Sequence, residues 1–145
     1  MIKKIKIITF LLILLNIHNY SFSENNFFEE GKKKYNEKKY EESKFLFQRS
    51  IVFNPKDKNS YLYLAKIYNF EKNENEEEKN IETVILLDPE NEEANYMLMK
   101  IELKKSNYSR VKELAENFSN ICNKLCDKKK LILDSLKNFE PKNES

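Results

Sequence analysis

Pro55 and Pro89 stand 34 residues apart, and each sits in a stretch of the same design. FNPKDKNSYLYLAKIY begins at Phe53, and LDPENEEANYMLMKIE begins at Leu87. Proline has no amide hydrogen to donate and its ring collides with the preceding turn, so both prolines end a helix. Around them apolar residues recur at helical spacing, and no run alternates convincingly with period two. Polar breaks fall near Lys38, Asn54-Pro55, Asn73, Asp88-Pro89 and Ser106-Asn107, and around Asp127. Helices of about a dozen residues between such breaks predict antiparallel pairs stacked side by side.

The 34-residue period extends well beyond the prolines. It superimposes Phe27 on Tyr61, Gly31 on Ala65, Phe47 on Ile81, Ile51 on Ile85 and Phe53 on Leu87. Tyr40 falls on Glu74 and then on Tyr108. Gly31, Ser43 and Ser50 are small residues where paired helices must approach closely. Such a set resembles the tetratricopeptide repeat, a helix–turn–helix unit of this length. The resemblance is clear over 24–57 and 58–91, although serines replace the family's usual alanines in the first unit. Glu77 stands where a small residue is expected in the second, so its second helix is expected to start late or pack loosely. A third unit, 92–123, is degenerate, with Met99 in the Gly31 and Ala65 column and Asn123 in place of the proline.

The fold class that follows is all-α: a short right-handed solenoid of about three helix pairs plus a C-terminal capping helix over 124–140. Asp127 would be the cap's first residue, and Leu131, Leu133 or Asp134, Leu136 and Phe139 its inner face. A final helix with a polar outer side covers the open end of such a stack. Residues 141–145 are expected to be a disordered tail.

The N-terminus, MIKKIKIITFLLILLNIHNYSFS, is basic and then apolar, and ends on small residues at Ser21 and Ser23. This predicts a signal peptide over 1–23, with Glu24 as the new N-terminus and an exported, periplasmic or secreted product. The apolar core, Ile7 to Leu15, is shorter than the roughly 20 residues of a membrane span. An uncleaved signal would instead tether the chain to a membrane as a structural scaffold.

Charge and composition narrow the chemistry. The first 23 residues carry Lys3, Lys4 and Lys6 and no acid, which leaves 23 basic against 24 acidic side chains in the rest. Such a near-neutral, interspersed surface does not suit a nucleic-acid backbone. Cleavage would remove His18, the sole histidine, and with it histidine-based acid–base, nucleophilic and metal chemistry. The single glycine, Gly31, leaves no glycine-rich phosphate loop. No catalytic residue, metal site, cofactor or small-molecule substrate is expected, and the chain does not read as an enzyme.

The resemblance implies a binding module whose first helices line a concave face that takes an extended peptide or a partner helix. On the repeat map that face carries Phe28, Lys32 and Tyr35, then Leu62, Lys66 and Asn69, then Tyr96, Lys100 and Leu103. Each trio lies at i, i+4 and i+7 on one helical face, and lysine fills the middle place every time. A lysine ladder on an apolar strip suits an acidic-aromatic peptide or a terminal carboxylate.

Cys122 and Cys126 form a second candidate site. On a continuous helix residues four apart have Cβ atoms about 5–6 Å apart, whereas a disulfide needs about 3.5–4.5 Å. A bridge therefore requires the helix to stop between them. A staple for the capping helix, two buried thiols, and a redox-active pair in an enzyme-accessory protein all remain open readings.

Overall fold

The computed structural model describes residues 26–139. The proposed signal peptide and the C-terminal tail lie outside these residues. Seven helices account for the described chain: α1 (Asn26–Asn36), α2 (Tyr40–Phe53), α3 (Lys58–Glu71), α4 (Glu74–Leu87), α5 (Glu92–Lys104), α6 (Tyr108–Ile121) and α7 (Cys126–Phe139). No strand occurs among the described residues. The chain divides into two compact units, one up to Pro55 and one from Lys56 onward.

In the first unit α1 packs against α2. The contact is close at Gly31, which is buried and has no Cβ to hold the helices apart. Ser43 Oγ donates to the Gly31 carbonyl at 2.8 Å, and Phe47 lies fully buried against the same spot. Small residues thus allow the helices to approach, and a phenyl ring fills the space beside them.

The second unit packs α3 on α4, α4 on α5, α5 on α6, and α7 against both α5 and α6. One core runs through it, with Leu62, Ala65, Ile81, Val84, Leu98, Met99, Val111, Phe118, Ile132 and Leu136 among its members. Asp57 starts α3 by accepting from the Asn59 and Ser60 amides. Asn73 and Asn91 likewise cap α4 and α5 through their side-chain oxygens. Each cap satisfies helix N–H groups that otherwise have no partner.

The 34-residue period reappears in the backbone. Lys38, Lys72 and Ser106 are the positive-φ residues of the described chain, at 60°, 58° and 59°. At each, two bonds close the preceding helix in a Schellman turn. Lys38 N–H bonds to Tyr35 O and Lys39 N–H to Lys34 O, both at 2.9 Å. Lys72 and Asn73 repeat this on Asn69 and Tyr68, and Ser106 and Asn107 on Leu103 and Glu102. The sequence carries no glycine at these places, so the period located the turns but not their left-handed geometry.

Three expectations need correction. Helix α4 starts at Glu74 on its Asn73 cap, neither late nor loose, and Glu77 is buried within it. Asn69 Nδ2 donates to Glu77 Oε1 at 2.8 Å, which is how a carboxylate is accommodated in a small-residue column. Asp127 is not the cap of the last helix, because α7 already begins at Cys126 and Asp127 sits in its first turn. Its inner face carries Ile132 and Leu136, while Leu131 is 54% exposed, because the i, i+4 pair that reaches the core is 132 and 136.

Candidate functional site: the first helices and the cysteine loop

The nine residues proposed for partner contact fall on the first helix of each pair. On α1, Phe28 and Tyr35 are half-buried, and the Phe28 ring lies 5.8 Å from that of Phe47. The Tyr35 ring meets Tyr40 edge-on at 5.5 Å. Lys32 stands 4.0 Å from Glu29, a partner one turn away on the same helix and itself exposed. Such a contact contributes little, so the Lys32 ammonium stays available.

In the second unit the trios separate into packing and surface. Leu62 is 8% exposed and belongs to the core, so it offers no contact area. Tyr96 and Leu103 are half-buried against that core and present only their outer edges. Asn69 is committed to Glu77. Lys66 reaches from α3 to α5, where its Nζ pairs with Glu93 at 2.8 Å, and it also lies 4.9 Å from the Tyr63 ring centroid. Lys100 is exposed and makes no ion pair or hydrogen bond to a described residue, its ammonium lying 5.8 Å from the Tyr96 ring. The lysine column is therefore uneven: Lys100 is open, and Lys66 carries an internal counter-ion.

The repeat period could not reveal Glu93 as a neighbour of Lys66, although Tyr63, three residues earlier on α3, follows from helical spacing. A period aligns equivalent positions on successive first helices. The Lys66–Glu93 pair joins non-equivalent ones on α3 and α5, which only the tertiary fold brings within reach of each other.

Cys122 and Cys126 are joined in a disulfide with a Cα–Cα distance of 5.2 Å. The condition set by helical geometry is met: α6 ends at Ile121, Cys122 is extended at ψ 139°, and α7 starts at Cys126. The intervening loop has an occupant that sequence reasoning missed. Glu92, in the first turn of α5, accepts from Lys124 N–H at 2.9 Å and Leu125 N–H at 2.7 Å. Burial pushes the Glu92 carboxyl up, but the backbone donors of Leu125, Asn123 and Lys124 outweigh that and hold it below the usual carboxylate range. Among the described residues no cluster of three or more His, Cys, Asp or Glu side chains is placed to hold a metal, and no helix is long and apolar enough to cross a membrane.

No family model matches the chain. No curated protein matches it significantly. Solved structures do. The tetratricopeptide domain of Sgt2 from Aspergillus fumigatus superimposes with a TM-score of 0.65 at 18% identity, covering 86% of this chain and 89% of that one. The fold is that of a tetratricopeptide-repeat domain. The second such domain of human RPAP3, solved with the HSP70 peptide SGPTIEEVD, gives a TM-score of 0.66 at 20% identity over 79% of this chain and 94% of that one. A chain of the CopN–Scc3 complex gives 0.64 at 14% identity, over 85% of this chain and 72% of its own. At these identities the likeness concerns architecture. This tetratricopeptide-like chain reaches it with Glu77 and Met99 in columns where the repeat favours small side chains.

Proposed function

We propose that this chain is an exported protein-interaction module, an adaptor or assembly factor, that binds a peptide or helix of another protein through its first helices. Lys100 carries the reading: an exposed ammonium with no ion pair or hydrogen bond to a described residue, beside the exposed edge of Tyr96. Buried helix faces explain the apolar columns, but packing gives no reason for an exposed cation that has no ion-pair partner among the described residues. Lys32 repeats the type of residue on α1, and Lys66 repeats it on α3 with Glu93 as a displaceable partner.

The partner chemistry suited to these groups is an acidic segment with an aromatic or apolar side chain, the carboxylates meeting lysine and the apolar part lying on Tyr96 and Leu103. The structural neighbour RPAP3 was solved with a peptide that contains two glutamates and ends in aspartate, which supports an acidic peptide as the ligand class. Export rests on the basic-then-apolar N-terminus with Ser21 and Ser23 before Glu24. A binding role without catalysis agrees with the tetratricopeptide architecture.

A crosslinking pull-down with the exported form, beside a variant carrying Gln at Lys32, Lys66 and Lys100, tests the proposal. One dominant partner that disappears with the triple change, while the helical circular dichroism stays constant, is the expected result. A partner that persists would move the contact away from the first helices. N-terminal sequencing of the exported form should begin at Glu24; an intact Met1 would favour the tethered scaffold.

A further inference from the structure

The loop between α6 and α7 combines three features that packing alone does not require together. It is closed by the Cys122–Cys126 disulfide. Its backbone amides hold a carboxylate from a distant part of the chain, Glu92. Its two cysteines are unequally exposed: Cys122 is half-buried and packed against the core, whereas Cys126 is exposed at the first position of α7.

We propose that this disulfide is a thiol-exchange site, attacked at Cys126 by a dithiol, and that opening it releases Glu92 from the loop amides and loosens α7. The first step forms a bond between the attacking thiolate and Cys126 Sγ. The Cys126–Cys122 bond breaks, and its electron pair leaves on Cys122 Sγ, which takes a proton from water. In the second step the other thiol of the dithiol attacks its partner sulfur and expels Cys126 as a thiolate. The dithiol becomes a disulfide and loses two electrons and two protons; the protein gains the same.

Access decides the direction of attack, since exchange needs approach to one sulfur along the bond. The expelled Cys126 thiolate lies at the N-terminal end of α7, where the helix dipole favours negative charge. Lys124 and Lys130, both exposed close to Cys126 in the chain, add positive potential for an approaching thiolate, partly offset by the exposed Asp127, which pairs with Lys128 at 3.7 Å.

The consequence for the fold follows from the loop. With the bridge closed, residues 122–126 form a small ring, and the Lys124 and Leu125 amides point together at one carboxylate. Opening the ring restores backbone freedom to these residues, which disperses the amide pair. Glu92 then loses the donors that hold its proton affinity down. Helix α7 keeps Ile132 and Leu136 on the core but loses the tie between the loop just before it, at Lys124 and Leu125, and α5. The site is independent of the lysine column.

The test uses the full-length chain with its disulfide formed. A short exposure to reduced glutathione, an acid quench and peptide mass mapping should find the first adduct on Cys126. An adduct on Cys122 would overturn the assignment. The Glu92 carboxyl carbon is then titrated by NMR before and after dithiothreitol. Its midpoint should start below the usual carboxylate range and rise into it on reduction, while helical circular dichroism largely survives. A Glu92 titration unchanged by reduction overturns the coupling. Global loss of helix on reduction also overturns it, because the bridge would then be a staple for the whole unit. The Cys122→Ser/Cys126→Ser variant must reproduce the reduced titration without reductant, and failure to do so counts against the proposal.

Discussion

A Cβ atom on Gly31 would lie 2.8 Å from Phe47 Cε1, closer than real side chains approach. The same two places hold Ala65 and Ile81 in the next repeat and Met99 and Ala115 in the third, all buried. From pair to pair the first member grows as the second shrinks. Total volume is thereby conserved while the identity of the small residue is not. The third unit, degenerate when its columns are judged singly, is regular when judged in pairs.

Gly31→Ala should therefore destabilise the protein by about 1–2 kcal/mol, the overpacking against Phe47 outweighing alanine's better helix propensity. Adding Phe47→Ile recreates the Ala65–Ile81 pair and should recover part of the loss. A urea-denaturation double-mutant cycle measures this. Strict additivity of the two changes would show that the positions are not coupled.

Lys72 occupies a left-handed conformation that costs an L-residue about 1–2 kcal/mol. Lys72→Gly should raise stability by about 0.5–1 kcal/mol, since glycine has no Cβ to strain and loses only part of the gain to unfolded-state entropy. Lys72→Val should lower it. Thermal melts of both variants decide the matter, and a glycine variant less stable than the parent would contradict the Schellman turn.

Asn69 is the donor that makes the buried Glu77 tolerable, and Glu77 Oε2 already lacks a hydrogen-bond partner among the described residues. Asn69→Ala should cost about 1–3 kcal/mol because it leaves the carboxylate without this bond. Asn69→Ala/Glu77→Ala should cost less than the single change, since no carboxylate then needs a partner. If the double variant is the less stable of the two, Glu77 is held by something other than Asn69.

Four carboxyls, Glu37, Glu42, Asp88 and Glu92, are held below their ordinary range and make stability depend on acid; the last two are tied to distant parts of the chain. Lys58 lies 2.9 Å from Asp88 and holds it below its ordinary range, with Asn91 assisting, and the loop amides do so for Glu92. A depressed folded-state pKa means that the unfolded chain takes up protons first as pH falls. The contribution is complete above the ordinary carboxyl pKa of about 4 and is lost as pH drops through the lower folded values. Urea midpoints between pH 7 and 3 should fall over that window. Asp88→Asn/Glu92→Gln should flatten the fall, and a profile of unchanged slope would remove these two groups from the account.

Glu93 competes with any acidic partner for Lys66. Glu93→Gln should tighten binding of the partner recovered by the pull-down about two- to fivefold, the worth of one exposed ion pair. Calorimetry on parent and variant checks this. Weaker binding would mean that Glu93 is itself a contact residue.

Local signals along the chain set the architecture. Pro55 and Pro89, the aromatic and small-residue columns and the polar breaks are local signals, each acting through backbone geometry within a few residues, and a constant period adds them coherently. That is why helix pairs, their number and most of their ends are legible in the amino-acid sequence. The tertiary structure decided which candidates were surface. Leu62 and Lys66 share a helix face, yet one is core and the other pairs with Glu93 on α5. Glu77 is buried because Asn69 reaches it, and Glu92 is clamped because a break between Cys122 and Cys126 turns amides toward it. These partners are separated by 8 residues in one case and by 27 to 33 in the others. Electrostatic and hydrogen-bond partners are chosen by distance in space, and a linear pattern encodes spatial distance only along one element.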